Sequence, residues 1–245
     1  MKAMILCAGL GTRLKPWTLE HPKALVPVAG VPMLKWVSDR LCSLGFDDQT
    51  VNVHHFASQI VDYLSENNLK VEHVNISDES VCLLDTGGGI LHAEKFLSSD
   101  SEPFLVHNVD ILSDADLRSL YEDHRKSQRD VTLLVSDRKS DRKLVFDSEM
   151  KLKGWKNTKT GEVRPGNLEM LDDDVMLSFS GIYIMSPSVF RKMTGHGFEG
   201  KFPIMDFFLA DSDDVYIGGV CQNGLSIIDI GKPETLKSAS ASLLV

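Results

Sequence analysis

The sequence has few of the features that mark secreted, membrane-spanning or zinc-binding proteins. Its four cysteines, among 245 residues, form neither a Cys-x-x-Cys pair nor a zinc-binding spacing, which excludes a disulfide scaffold and a zinc finger. No run of 18 or more apolar residues occurs, so no transmembrane helix is expected. Glycines and an arginine interrupt the short apolar N-terminal run before a signal-peptide core could form. These absences predict a cytoplasmic protein with reduced, buried thiols.

Basic residues are also scarce relative to acidic ones. The chain has 35 acidic and 26 basic residues, a formal net charge of -9. Because affinity for nucleic acid and for anionic membranes depends mainly on lysine and arginine, neither partner is expected. Hydrophobic residues make up 42% of the chain and charged residues 25%, as in an ordinary soluble globular protein. A small anionic substrate in a locally basic pocket remains compatible with this balance.

Short apolar runs alternate with segments of helical periodicity through the first half of the chain. Lys2–Ala8 and Pro103–Val109 are predicted as buried strands, and Met33–Leu44 as a helix. This alternation predicts an α/β fold with a doubly wound, mostly parallel, Rossmann-like sheet. After about residue 140 the strands are separated by polar segments, ending in a strand over Leu225–Ile230 and a short helix after Pro233. We expect one domain over 1–245, with two halves of about 1–135 and 136–245.

The first predicted strand runs directly into a glycine-rich segment, GLGTRLKPWTLEHPKALV. It lacks the third glycine of a dinucleotide fingerprint and the Gly-Lys-Ser/Thr of a Walker A loop. Glycines such as Gly9 and Gly11 let backbone N–H groups approach a phosphate chain. Arg13 can donate several hydrogen bonds to phosphate oxygens, and Lys23 adds a point charge. Two cations beside one triphosphate suit phosphoryl or nucleotidyl transfer, in which charge neutralisation matters most.

This segment resembles the signature of the sugar-phosphate nucleotidylyltransferase family, GxGTRLxPxT followed by PKPL(V/I)P. The resemblance includes Thr18, and Ala24 replaces the usual proline after the lysine. It implies a fold of the nucleotidyltransferase type, with a nucleotide-binding half at about 1–135 and a small sugar-binding lobe at about 136–245. It also implies a reaction in which a sugar 1-phosphate oxygen attacks the α-phosphorus of an NTP and pyrophosphate leaves. By the same resemblance, Arg13 and Lys23 are the catalytic cations.

The resemblance assigns the rest of the glycine-rich turn to the nucleotide. The residues implied to bind it in this turn are Ala8, Gly9, Leu10, Gly11 and Thr12.

Two aspartates are candidates for a metal site. Asp110 follows the apolar strand FLVHN, at the carboxyl edge where open α/β sheets bind ligands. Asp229 ends a second apolar run, LSIID, just before Gly231. Two carboxylates at neighbouring strand ends that face a triphosphate form a hard-oxygen site for Mg²⁺. Both aspartates match metal-binding positions of the resembling family.

The sequence LDTGGGI opens a predicted helix over Ile90–Leu97. Its three glycines can serve close packing, or can let a flat base approach the backbone. In the resembling enzymes this loop reads the nucleobase, which implies nucleotide-binding roles for Asp85, Thr86, Gly87 and Gly88. The Thr-Gly-Gly-Gly-Ile form is most similar to N-acetylmuramate α-1-phosphate uridylyltransferases, and guanylyltransferases for mannose or heptose 1-phosphate have a related loop.

Three residues are implied to bind the sugar phosphate. Lys156, in Gly-Trp-Lys-Asn, resembles the lysine of the family's Glu-Lys-Pro, and Gly181, in Ser-Gly-Ile-Tyr, resembles the glycine of Asn-Ala-Gly-Ile-Tyr. Asn108 stands where Asn-Val-Asp replaces the family's Gly-Asp. Trp155 replaces a glutamate that often binds sugar hydroxyls in the family, and we expect it to pack in the core or in the lobe.

The predicted substrates are UTP with N-acetylmuramate 1-phosphate, or GTP with mannose or heptose 1-phosphate. A molybdopterin or CTP:phosphocholine-type transferase shares the N-terminal loop, but the Gly-Ile-Tyr strand favours the sugar-phosphate branch. A non-catalytic sensor of nucleotides or sugars would be expected to lose the cations or the acids. Arg13, Lys23, Asp110 and Asp229 are all present, which favours an enzyme. The sequence makes no prediction of the oligomeric state.

Overall fold

The computed structural model describes residues 1–66, 68–71, 73–210, 214–222, 224–231 and 234–236. Its β-strands, numbered β1 to β14 in chain order, are Lys2–Leu6, Pro27–Val28, Val31–Pro32, Asp48–Val53, Val74–Asp78, Phe104–Asn108, Ile111–Ser113, Val131–Ser136, Arg142–Phe146, Leu152–Asn157, Val163–Arg164, Val175–Met185, Ile217–Cys221 and Ile227–Asp229. Its α-helices, α1 to α7, are Met33–Ser43, Ala57–Ser65, Asp85–His92, Glu94–Leu97, Leu117–Lys126, Ser188–Gly195 and Ile204–Phe208.

The central sheet is mostly parallel, which confirms the predicted α/β class. Strands β5, β4, β1 and β6 lie side by side in that order and are parallel. Next to β6 lies β12, which is antiparallel to both β6 and β8, and β13 then pairs in parallel with β8. The carboxyl ends of β1 and β6 therefore open onto the same edge of the sheet.

Alternate residues of β1 face two separate hydrophobic cores, as a doubly wound sheet requires. Ala3 and Ile5 pack in the core that contains the apolar faces of α1, α2 and α5. Met4 points to the other side, into the core built from α3, α4, α6 and α7. Because both faces are covered, β1 reads as a continuous apolar run.

Strand β12 connects the central sheet to the second half of the chain. Its first residues pair with β9, which continues through β10 to β11 as an antiparallel meander. Its last residues pair with β6. Between these two parts its pairing with β8 shifts register between Phe179 and Tyr183. Gly181 lies within this irregularity with a φ of 82°, a conformation that favours glycine.

Several local predictions differ from the structure. The helix predicted over Ile90–Leu97 is two helices, and its three glycines lie inside α3 rather than before it. The predicted short helix after Pro233 falls largely outside the described residues. The thiols of Cys82 and Cys221 are exposed, not buried, because one lies in a turn after β5 and the other at the end of β13. Of the helices in the described ranges, none has the length and apolar character needed to span a bilayer.

Candidate active site

The glycine-rich segment leaves the carboxyl end of β1 beside β6. Ala8 is buried, whereas Gly9 and Leu10 are exposed. A Cβ atom on Gly9 would meet no other atom within 4 Å, so the backbone there is open to an approaching ligand. Thr12 and Arg13 follow in a 3₁₀ turn. The predicted phosphate-binding backbone is therefore accessible at the edge where α/β sheets bind ligands.

Gly11 has a packing role as well as a conformational one. Its φ of 61° favours glycine, and a Cβ atom there would lie 2.8 Å from the Cβ of Lys23 and 2.8 Å from the Cγ2 of Thr18. The Thr18 hydroxyl donates a hydrogen bond to the carbonyl of Gly11 at 2.9 Å, and the Leu14 side chain is buried. The segment after Pro22 thus packs directly on the glycine turn. This packing fixes the position from which the Lys23 side chain extends.

Lys23 reaches across to the end of β6. Its Nζ forms a hydrogen-bonded ion pair with Oδ2 of Asp110, and the two side chains are 14% and 13% exposed. Cys7 lies close to this pair in a fully buried position, and burial raises the pKa of its thiol. A neutral thiol beside the pair leaves the charge of the site to the lysine and the aspartate.

A short two-stranded sheet places Asp229 next to Asp110. Strand β14 pairs antiparallel with β7, which places Asp229 opposite Ile111. The backbone N–H of Ile230 donates to the carbonyl of Asp110 at 2.8 Å. Among the described strands, β14 pairs only with β7 and does not join the central sheet.

Gly231 marks the point where the charged side chains converge. A Cβ atom on this glycine would lie 2.7 Å from Oδ2 of Asp110, 2.8 Å from Nη2 of Arg13 and 2.9 Å from Oδ1 of Asp229. Three charged groups from distant parts of the sequence therefore surround one small volume. Together with Lys23, they provide two cations and two carboxylates beside the glycine turn. The absence of a side chain at Gly231 keeps this volume free.

The acid pair fits a magnesium ion that is bound mainly by its substrate. Within the described ranges, no group of three or more His, Cys, Asp or Glu side chains is arranged to hold a metal. Mg²⁺ commonly uses only one or two carboxylates, and completes its shell with water and substrate phosphates. Asp110 and Asp229 supply two such oxygens. The structure brings together the predicted ligands, and the identity of the metal stays a prediction.

A buried polar network joins the glycine turn to the LDTGGGI loop. The N–H of Cys7 donates to Oδ1 of Asn52 at 2.7 Å, and Nδ2 of Asn52 donates to Oε1 of Glu79 at 2.7 Å. Oε2 of Glu79 accepts from the N–H of Leu84 at 3.1 Å. Asn52 and Glu79 are both buried. Sequence reasoning missed them, because a polar residue in a strand gives no sign of a partner 27 residues away.

Gly87 and Gly88 pack tightly against the segment 200–202. A Cβ atom on Gly87 would lie 2.2 Å from the ring of Phe202, and one on Gly88 would lie 2.0 Å from the carbonyl oxygen of Gly200. The N–H groups of both glycines donate to the carbonyl of Phe202, at 2.9 and 3.1 Å. Close packing therefore accounts for these two glycines. Base contact by Gly87 or Gly88 stays a prediction.

Asp85 and Thr86 are the polar side chains of the same loop. Asp85 has a positive φ of 62°, and its Oδ1 accepts from the N–H of Thr86 at 2.6 Å. The Thr86 hydroxyl accepts from the N–H of Ile204 at 2.9 Å. These bonds hold the loop rigidly against the start of α7. Base contact by Asp85 and Thr86 stays a prediction.

Of the three residues predicted to bind the sugar phosphate, the structure brings two into contact. A Cβ atom on Gly181 would lie 2.6 Å from Nδ2 of Asn108, so the asparagine side chain lies directly over this glycine. Lys156 is not part of this contact; its described partner is the sulfur of Met170, 3.7 Å from Nζ. Trp155 packs in the core on the α3 side of the sheet, as expected.

Comparison with known proteins agrees with this arrangement. The model of a family described as nucleotidyl transferase matches residues 2–145. The N-acetylmuramate alpha-1-phosphate uridylyltransferase of Caulobacter vibrioides is 31% identical over 98% of this chain and 96% of its own length. Mannose-1-phosphate guanylyltransferase 1 of Arabidopsis thaliana is 30% identical over 79% of this chain. The match covers 52% of that enzyme, so this chain spans about half its length.

Solved structures share the fold along the whole chain. HddC from Yersinia pseudotuberculosis, complexed with GMP-PN, superposes with a TM-score of 0.77 at 23% identity, covering 99% of both chains. UDP-glucose pyrophosphorylase from Acinetobacter baumanii gives a TM-score of 0.77 at 16% identity, covering 98% of this chain and 92% of that one. At these identities the likeness is evidence for the fold.

Proposed function

The chain belongs to the nucleotidyl transferase family, and we propose that it transfers a nucleoside monophosphate from an NTP to a sugar 1-phosphate. A phosphate oxygen of the sugar 1-phosphate forms a bond to the α-phosphorus of the NTP. The bond from that phosphorus to the bridging oxygen of the β-phosphate breaks, and pyrophosphate leaves. The convergence of Arg13, Lys23, Asp110 and Asp229 around Gly231 carries the proposal.

Each charged group has a role that follows from its position. Arg13 donates hydrogen bonds to the oxygens that gain charge in the transition state and to the departing pyrophosphate. Lys23 exchanges its contact with Asp110 for a phosphate oxygen when the NTP binds. Asp110 and Asp229 would hold Mg²⁺, which would neutralise charge on the phosphates. The open backbone at Gly9 accommodates the phosphate chain.

The preferred substrates are UTP and N-acetylmuramate 1-phosphate. This choice is supported by the Thr-Gly-Gly-Gly-Ile loop and by the uridylyltransferase of Caulobacter vibrioides, which matches end to end. GTP with mannose or heptose 1-phosphate is the alternative, supported by the guanylyltransferase relatives. One of these, from Mycobacterium tuberculosis, is 29% identical over 99% of this chain, although the match covers 64% of that enzyme. A cytoplasmic location stays a prediction from the cysteine pattern.

Pyrophosphate release tests the proposal. The purified protein is incubated with Mg²⁺, each NTP in turn and a panel of sugar 1-phosphates. We expect the fastest release with UTP and N-acetylmuramate 1-phosphate, and none when either substrate is omitted. Fastest release with GTP and mannose or heptose 1-phosphate would support the alternative. If no pair releases pyrophosphate while an NTP still binds, a non-catalytic sensor is the better reading.

A further inference from the structure

The segment after β8 carries a concentration of positive charge that the proposed reaction does not use. Residues 138–159 contain eight basic and three acidic residues, in a chain whose net charge is -9. The segment includes strands β9 and β10 of the smaller antiparallel meander. Local basic excess in an acidic protein is typical of a site for a small anion.

Arg138 is held in place but is not saturated with partners. Its Nη2 donates to the carbonyl of Phe179 at 2.9 Å. Its Nε is buried and has no hydrogen-bond partner in the described part of the chain. A buried donor without a partner is costly, and a guanidinium edge suits the two oxygens of a carboxylate. The described contacts therefore leave this guanidinium incompletely paired.

Lys143 is fixed beside Arg138. Its Nζ donates to the carbonyl of Arg138 at 2.8 Å and to the hydroxyl of Ser178 at 2.9 Å. Burial lowers the pKa of this ammonium; the charge of Asp137 partly opposes that shift, and the charge of Arg138 adds to it. Lys156 lies directly opposite Lys143 in the pairing of β9 with β10. The described hydrogen bonds of these three cations go to neutral groups.

This cluster lies on the acceptor side of the acid pair. Phe179, which anchors Arg138, is two residues from Gly181 and thus at most about 7 Å away along the chain. Gly181 contacts Asn108, which is two residues before Asp110. The acceptor phosphate must react beside Asp110, and Arg138 is anchored further along β12 from that point. An anionic oxygen group at that distance is a substituent of the sugar.

We propose that Arg138 and Lys143, flanked by Lys156, form a subsite for a carboxylate carried by the acceptor sugar in addition to its 1-phosphate. The inference rests on the proposed function, since it names a property of that reaction's acceptor. It selects a sugar acid 1-phosphate over a neutral sugar 1-phosphate.

The test compares two acceptors that differ at one substituent. N-acetylmuramate 1-phosphate carries a lactyl carboxylate that N-acetylglucosamine 1-phosphate lacks. The ratio of their kcat/KM values, measured by pyrophosphate release, reports recognition of the lactyl group, and its change in a variant of a cation reports the contact with the carboxylate. We expect Arg138→Gln to lower this ratio 10- to 100-fold, as loss of a charge-assisted hydrogen bond does. Arg138→Lys should recover part of it.

Lys139→Gln is the matched control, because Lys139 is the exposed neighbour of Arg138. We expect its ratio to equal that of the unmodified protein. Equal losses on both acceptors in Arg138→Gln would overturn the inference, as would an unmodified enzyme that does not prefer the carboxylate-bearing acceptor. If circular dichroism shows that Arg138→Gln does not fold, the same ratio is measured with Lys143→Gln instead. Absence of pyrophosphate release with every NTP and every sugar 1-phosphate would instead overturn the proposed function, and the inference with it.

Discussion

Replacing Gly231 with alanine changes the proposed active site with little effect elsewhere. The added Cβ would lie 2.7 to 2.9 Å from oxygens of Asp110 and Asp229 and from a guanidinium nitrogen of Arg13. Carbon atoms are not accommodated at such distances, so these groups must shift. All three atoms lie at the far ends of side chains, which can rotate away without displacing the backbone. The backbone of Gly231 does not have a positive φ, so alanine is conformationally allowed.

The expected effect is therefore large on activity and small on stability. A displacement approaching 1 Å in a catalytic arrangement costs on the order of 100-fold in rate. A change from glycine to alanine at an allowed backbone conformation stabilises by about 0.4–1 kcal/mol, which partly offsets the cost of crowding. We expect kcat for pyrophosphate release to fall about 100-fold, with little change in Tm.

Gly195→Ala is the matched control, since a Cβ atom there would meet nothing within 4 Å. It should leave both kcat and Tm close to those of the unmodified protein. The reasoning is refuted if Gly231→Ala retains a kcat within about threefold of this control, which is the scatter of such assays. A large fall in Tm would show that Gly231 is needed for the fold instead.

Three further predictions concern stability. Glu79→Ala removes the acceptor for the buried amide of Asn52 and for the part-buried N–H of Leu84, and should cost about 2–4 kcal/mol in urea unfolding and raise KM for the NTP. Gly87→Ala would place a Cβ atom 2.2 Å from the ring of Phe202, and thermal unfolding should show a loss of about 1–3 kcal/mol or more. Burial lowers the pKa of His124 to about 4, so its contribution is present above about pH 6.5 and is lost as the pH falls towards 4. His124→Gln should reduce the loss of unfolding free energy over that pH range by about 3 kcal/mol.

Sequence patterns predicted the elements whose signal is local. The apolar run of β1 followed by glycines predicted both a buried strand and an open turn, because a strand covered on both faces has no polar alternation. Arg13 and Lys23 could be proposed for the same reason, since they lie on the turn that they serve. The helix predicted over Met33–Leu44 from its periodicity is observed over Met33–Ser43.

Residues whose role depends on distant partners were predictable only in part. Asp229 was named as a metal ligand, but the β14–β7 pairing that brings it to Asp110 has no sequence signal of its own. The three glycines of LDTGGGI allowed either packing or base contact, and the packing partner, Phe202, lies more than 100 residues away. Arg138 was not distinguished from other surface cations, because a buried, unpaired nitrogen is visible only in three dimensions.

The most direct test of the central claim is the Mg²⁺ dependence of pyrophosphate release in Asp229→Asn. The control is Glu94→Gln, which removes an exposed carboxylate on α4, in the part of the structure that covers the other core. If Asp110 and Asp229 jointly hold the metal, the unmodified protein and the control reach the same maximal rate as Mg²⁺ rises. Asp229→Asn should stay about 100-fold lower at saturating Mg²⁺ and NTP. A maximal rate in Asp229→Asn equal to that of the control would contradict the account.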